Sequence, residues 1–282
     1  PRDPRRPAVY VASNRGLLLR ISCQTDQILC AYQLHTCAIR TLSMHSGYAV
    51  TGAEDNKLRL WPLDFSDFLL EAQHEGVVTN IRIALDGRKL AIGTAAGTLG
   101  VLNVSEHSYN TVLRSHSASV SQVVPCTFGE HKGTEFATVG RDNTVRIWNA
   151  ISGNQVIEFT SEKDQPTCCV YHPASSTYIA CGYSSGFLRI FDVTTATAVL
   201  ETRAHSAAIV CARYLRPVAP DETSALPPAV LLATASLDGT VLIHDTNSEG
   251  AYLPVKKISF GMPLEKILLE VSDDYAYLAV AS

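Results

Sequence analysis

The sequence predicts an all-β fold made by repeating one sheet unit. Three observations lead there. Short runs of branched and aromatic residues alternate with turn residues, and almost nothing carries a helical period. Three long segments align: HTCAIRTLSMHSGYAVTGAEDNKLRLWPLD from His35, HSASVSQVVPCTFGEHKGTEFATVGRDNTVRIWNA from His116, and HSAAIVCARYLRP…VLLATASLDGTVLIHDT from His205. Within them four residue types recur at fixed distances. Asp55, Asp142 and Asp238 each stand six residues before a ring (Trp61, Trp148 or His244), and Thr51, Thr138 and Thr234 each stand four residues before the Asp.

Each unit opens on His and continues with an alternating strand. A second strand holds the Thr, a tight turn holds the Asp, and a third strand ends on the ring. In that arrangement the carboxylate can accept hydrogen bonds from turn amides and from the His. The His can bond the Thr, and the Thr can take the indole N–H. Such a buried chain is stable only when every member is satisfied. The sets are His35/Thr51/Asp55/Trp61, His116/Thr138/Asp142/Trp148 and His205/Thr234/Asp238/His244. In the last of these, imidazole replaces indole and can also donate one N–H.

Weaker copies fill the gaps. HEGVVTNIRIALDGRKLAIGTAAGTLGVLNV starts at His74, and TCCVYHPASSTYIACGYSSGFLRIFDV ends on Phe191-Asp192. VYVASNRGLLLRISCQTDQILCAYQL supplies three strands without an opening His, and LEKILLEVSDDYAYLAVAS supplies two. A period of roughly 40–45 residues with four strands per unit resembles the WD-repeat β-propeller. Five whole blades end near Gln73, Ser115, Thr160, Ala204 and Ser259. With the partial ones this gives a single propeller over residues 8–282, seven-bladed with incomplete terminal blades, or six-bladed. Residues 1–7, PRDPRRP, form a disordered lead. A chain that starts on Pro1 and not on Met reads as a fragment of something longer.

Composition narrows the function classes. The chain has 282 residues, 46% hydrophobic and 18% charged, with a formal net charge of −4. The near-neutral balance gives no footprint for nucleic acid, and no run of about 18 apolar residues predicts a membrane span. The eight cysteines (Cys23, Cys30, Cys37, Cys126, Cys168, Cys169, Cys181 and Cys211) are scattered with no C-x-x-C pair. They read as buried free thiols, not as a zinc site. Gly182-Tyr-Ser-Ser-Gly186 matches a nucleophile elbow, but a strand follows it where that motif needs a helix. The His/Thr/Asp sets recur at structural positions and read as blade stitching, not chemistry. No glycine-rich phosphate loop precedes a helix, and the sequon Asn103-Val-Ser105 has no secretory signal beside it. The expectation is a non-enzyme with no cofactor, no metal and no small-molecule substrate. Arg59, Arg146 and Arg189 recur in third strands and read as partly buried stems with solvated heads. The Pro-rich, acidic segment Arg216–Pro228 reads as a flexible insertion between the first two strands of the sixth blade.

A rigid disc offers its loops to protein partners. The residues just before each Asp position, Glu54, Arg141, Ser184 and Leu237, are expected to face the central opening and to contact a peptide or protein loop. The stretch GAEDNKLRLWPLDFSDFLLEAQHEG goes beyond the generic repeat, with Pro62 where Asp usually follows the Trp. It resembles the WD repeat-containing protein 90 family, whose algal member is a proximal centriole protein. That resemblance implies a propeller from a large centriolar or ciliary protein. Its role would be structural, in centriole, basal body or cilium assembly, within the cytoplasm and cytoskeleton. The implied partners are tubulin of the microtubule wall or a centriolar scaffold protein. The alternative is a soluble adaptor recruiting a peptide, of the ubiquitin-ligase or signalling type. Tubulin is acidic and so is this chain, so any contact with it would be local and not driven by net charge.

Overall fold

The computed structural model describes residues 8–84, 86–106, 108–112, 115–127, 129, 131–173, 177–215, 230–246, 252–264, 266–271 and 276–281. The expected lead at residues 1–7 and the expected insertion at residues 216–228 lie outside the described residues. Backbone packing divides the chain into two compact units, Pro1–Val123 and Val124–Ser282.

The first unit begins with a three-stranded antiparallel sheet of β1 (Ala8–Ala12), β2 (Leu17–Ser22) and β3 (Ile28–Gln33). Two four-stranded sheets follow. One is β4 (Ile39–Met44), β5 (Tyr48–Ala53), β6 (Lys57–Pro62) and β7 (Leu70–Gln73). The other is β8 (Val78–Ile83), β9 (Lys89–Thr94), β10 (Leu99–Asn103) and β11 (Ser108–Val112). The unit boundary falls inside β12 (Val120–Pro125), which is joined in one sheet to β13 (Glu135–Gly140), β14 (Thr144–Asn149) and β15 (Gln155–Thr160).

The second unit continues with β16 (Pro166–Tyr171), β17 (Tyr178–Tyr183), β18 (Phe187–Asp192) and β19 (Thr197–Arg203). Next comes the sheet of β20 (Ile209–Leu215), β21 (Leu231–Ser236), β22 (Thr240–Asp245) and β23 (Leu253–Ser259). It ends on a two-stranded sheet, β24 (Lys266–Val271) with β25 (Ala276–Ala281). Neighbouring strands are adjacent in sequence, and every pair with a described register is antiparallel, as short connections require. Gly182–Gly186 lies in a strand–turn–strand between β17 and β18.

Both faces of the sheets bury apolar residues, which is why their strands do not alternate cleanly. In β5 and β13 all six residues are buried. Val50, Leu58 and Leu60 of one sheet pack with Val78, Ile81, Leu90 and Ile92 of the next. In the second unit Val139, Val145 and Ile147 pack with Cys169, Ile179 and Cys181. All eight cysteines are free; Cys126, Cys168, Cys169, Cys181 and Cys211 are buried, while Cys23 is exposed. Burial pushes the Cys168 thiol up to about 12, so it behaves as a small apolar side chain.

The turn that carries each Asp position needs a left-handed residue. Gly16, Asn56, Gly97, Asn143, Gly186 and Gly239 supply it. At Gly16 and Gly186 no side chain fits, because the main-chain carbonyls of His35 and His205 lie against the α-carbon.

The stretch WPLDF has a packing role that the generic repeat lacks. Pro62 is the last residue of β6, opposite Tyr48. Its carbonyl accepts the Phe65 N–H at 3.0 Å. Phe65 takes a left-handed backbone, φ 55°, which costs a non-glycine residue about 1 kcal/mol. The ring repays this by inserting between Tyr10 and Tyr32 of the first sheet, at centroid distances of 5.9 and 5.0 Å. Phe65 thus pins the β6–β7 loop to the neighbouring sheet. Phe65→Ala should lower unfolding stability by about 3 kcal/mol or more through the cavity it leaves. Phe68→Ala, at an exposed ring in the same loop, should cost under about 1 kcal/mol. Urea unfolding of the two variants checks the difference.

Candidate functional site

The first hydrogen-bond set is complete within its unit. His35 precedes β4 and reaches two groups of its own sheet. Its Nδ1 lies 2.9 Å from Asp55 Oδ2 and its Nε2 lies 2.8 Å from Thr51 Oγ1. Trp61 Nε1 donates to the same Thr51 oxygen at 2.8 Å. The other Asp55 oxygen accepts the Lys57 N–H at 3.0 Å and closes the turn. The protons count correctly for a neutral imidazole. Nδ1–H serves Asp55, the Thr51 hydroxyl serves Nε2, and the indole N–H serves Thr51. Burial lowers the His35 pKa against the pull of Asp55.

The second set is divided by the unit boundary. Trp148 Nε1 donates to Thr138 Oγ1 at 2.8 Å, and Asp142 accepts the Thr144 hydroxyl at 2.8 Å. His116, in the first unit, is buried, with its N–H on the Gly97 carbonyl at 3.0 Å.

The third set carries one more link and one proton too few. His205 Nδ1 lies 3.2 Å from Asp238 Oδ2 and its Nε2 lies 2.9 Å from Thr234 Oγ1. Thr234 Oγ1 lies 3.1 Å from His244 Nε2, whose Nδ1 lies 3.2 Å from the Tyr252 carbonyl. Four contacts need four protons, and two neutral imidazoles with one hydroxyl supply three. Asp238 stays charged. Burial works against it, yet the Thr240 hydroxyl and the Ser206 N–H hold its carboxyl down at about 2.

The other sheets use different means. Where β8–β11 would carry Thr, Asp and ring it has Ile92, Ala96 and Leu102. It keeps only the buried His74, whose pKa burial lowers to about 4. In β16–β19 the same places hold Cys181, Ser185 and Phe191, and the acid has moved to the preceding loop. Asp164 accepts the Ser184 hydroxyl at 3.0 Å, the Ser185 N–H at 3.1 Å and the Ser185 hydroxyl at 2.5 Å. The residue pattern hid this acid because it lies outside the turn. The pair Ser184-Ser185, in the place of an Asp turn, was its one signal.

The recurrent arginines do not have solvated heads. Arg59 Nε donates to Glu71 at 2.8 Å and Arg189 Nε donates to Glu201 at 2.7 Å. Arg146 Nε lies 3.1 Å from Glu158 without hydrogen-bond alignment. Their side chains are only 16–17% exposed. Each Glu stands directly across the ladder from its Arg, so strand register brings the heads together.

Of the four residues before the Asp positions, Glu54 lies in the first unit and Arg141, Ser184 and Leu237 in the second. Glu54 pairs with Arg40 and its N–H bonds the Ala38 carbonyl. Ser184 bonds Asp164. Arg141 is exposed, and Leu237 is 43% exposed. Among the described residues no group of three or more His, Cys, Asp or Glu is placed to hold a metal, and no helix is long and apolar enough to cross a membrane.

The family model described as WD domain, G-beta repeat matches residues 26–62 and 107–149. The chain is 36% identical over 272 residues to Centriole proteome protein 16 of Chlamydomonas reinhardtii, covering 96% of this chain and 12% of that protein. It is 34% identical over 226 residues to WD repeat-containing protein 90 of Homo sapiens (73% of this chain, 13% of the relative). It is 40% identical over 173 residues to the Xenopus tropicalis protein of that name (61% and 9%). The chain therefore spans about a tenth of the length of these relatives.

The buried rings give a pH prediction. His35, His74, His205 and His244 all have pKa values lowered by burial, against about 6.5 in an unfolded chain. Below that value the unfolded state binds more protons. Stability is therefore full above about pH 6.5 and falls as pH drops toward the folded values. Urea midpoints should begin to fall near pH 6.5, before the carboxylates titrate, and His74→Gln should flatten part of the slope. A midpoint constant down to pH 5 would refute neutral, buried rings.

Proposed function

We propose, from the WD repeats that this chain carries, that it is a non-catalytic protein-interaction scaffold of the centriole, basal body or cilium, located in the cytoplasm and cytoskeleton. The observation that carries this reading is the similarity to Centriole proteome protein 16 along 96% of the chain. The sheets add support, since their polar sets are used up in holding strands together. The partner is tubulin of the microtubule wall or a centriolar scaffold protein. The contact lies at the Asp turns, through Arg141, Ser184 and Leu237, with Glu54 at the equivalent place in the first unit. All four are exposed; Glu54 is held by Arg40 and Ser184 by Asp164.

The same proposal treats residues 8–282 as one seven-bladed propeller with incomplete terminal blades, preceded by a lead at residues 1–7. Twenty-five strands among the described residues support seven blades, because six blades of four would leave one strand over. A crystal structure should show seven sheets around one axis; six sheets, or two separate bodies, would end that part of the reading.

For the cellular role, the tagged chain expressed in ciliated cells should concentrate at centrioles, and a diffuse distribution would count against it. Co-sedimentation with stabilised microtubules then separates the partners. Saturable pelleting that is lost on charge reversal at Arg141 and Glu54 identifies tubulin. Centriolar targeting without pelleting identifies another scaffold protein.

A further inference from the structure

Three outer strands follow one rule. Glu71 on β7, Glu158 on β15 and Glu201 on β19 each stand across the ladder from an arginine. The sheet β20–β23 breaks it. In the same register place, Leu242 stands for the arginine and Lys257 for the glutamate. Lys256 precedes it, and β23 carries no carboxylate. Both lysines are exposed, and neither has an ion pair among the described residues. Among the strands that come last in their sheets in chain order and have described side chains (β3, β7, β15, β19 and β23), only β23 combines positive charge with no negative charge.

The same strand exposes apolar surface. Leu253 is 55% and Val255 59% exposed, and the chain leaving β23 exposes Phe260 and Met262. β23 is an edge strand of its sheet. Pro254 removes one N–H from it, so recognition along it would rest on side chains more than on ladder hydrogen bonds.

We propose that β23 is a docking strand for an acidic peptide segment that also carries apolar side chains. Charge complementarity selects this occupant. The chain as a whole is at −4, and β23 sets against this two lysines with no ion pair among the described residues beside exposed Leu and Val. The inference deepens the scaffold reading by naming the chemistry of one partner. It is tested on purified protein, so it can fail while centriolar targeting holds, and the reverse. Lysines on an edge strand also prevent unwanted strand pairing, and that role alone predicts no ligand.

The test is fluorescence anisotropy with a labelled synthetic peptide of glutamates interrupted by two leucines, beside the same peptide with lysine for glutamate. The acidic peptide should bind saturably and several-fold more weakly at physiological than at low salt. Lys256→Glu with Lys257→Glu should weaken binding by about tenfold or more. Leu242→Arg with Lys257→Glu installs the pair seen in the other sheets, and should keep the thermal midpoint while losing binding. Leu253→Ser with Val255→Ser should weaken binding several-fold and leave its salt dependence unchanged. The proposal is overturned if the wild-type chain does not bind the acidic peptide, if the charge variants bind it equally, or if the lysine peptide binds as tightly.

Discussion

The structure depends on one staple repeated along the chain. The residue that opens a sheet gives its main-chain N–H to the turn of the sheet before it, and where it is a His its ring can serve the sheet that it opens. His35 shows both halves. Its N–H bonds the Gly16 carbonyl, while its ring bonds Asp55 and Thr51. His205 does the same, with Gly186 on one side and Asp238 and Thr234 on the other. The main-chain half needs a left-handed turn residue so that the carbonyl points outward, and it needs no bulk there. The ring half needs a charged acceptor and a hydroxyl at the right depth. A buried polar chain of this kind is costly if any member is left unmatched, so the residues that form it must occur together.

The requirement is that the bonds be matched, and the sheets meet it to different degrees. With indole as the last member, a neutral His35 leaves no group short. With imidazole there, His244 is drawn toward the Tyr252 carbonyl as well as Thr234, and the contacts lengthen to 3.1 and 3.2 Å. In β16–β19 the acid is supplied from the preceding loop by Asp164, and two serines become the donors. In β8–β11 most of the set is replaced by packing through Ile92 and Leu102, both essentially buried. Sheets with and without the set share the same antiparallel order, so the set strengthens a geometry that apolar packing already permits.

Strand number and order were readable because the repeat fixes them. Three strands, five sets of four and a final pair follow from the spacing of turns alone, and the structure has that arrangement. The contacts that depend on register were not readable. Arg59 and Glu71 are twelve residues apart, but their meeting depends on the length of the β6–β7 loop and on which residues pair across it. A shift by one residue would have sent the two heads to opposite faces. Asp164 could not be recognised because its acceptor role comes from a loop folding back over Ser184 and Ser185. Phe65 looked like one more apolar residue in a turn; its role comes from Tyr10 and Tyr32, more than thirty residues away.

These same constraints bear on where a partner can bind. Strand register brings several charges into pairs. The Arg–Glu pairs neutralise charge on β7, β15 and β19, Glu54 is held by Arg40, and the polar residues of the sets are turned inward. Surface pairs of this kind add little stability, about 0–1 kcal/mol each. Their larger effect is on specificity, because a neutralised strand offers an approaching charged segment nothing to choose. Selectivity then has to come from places where the repeat is broken. Two of these breaks can be contrasted. The β6–β7 loop departs from the repeat in order to fill a gap between sheets, and Phe65 is consumed by that packing. The β22–β23 ladder departs from it without filling any gap, since Lys256 and Lys257 remain in solvent. A break with a packing explanation needs no ligand, and a break without one is where recognition should be sought first.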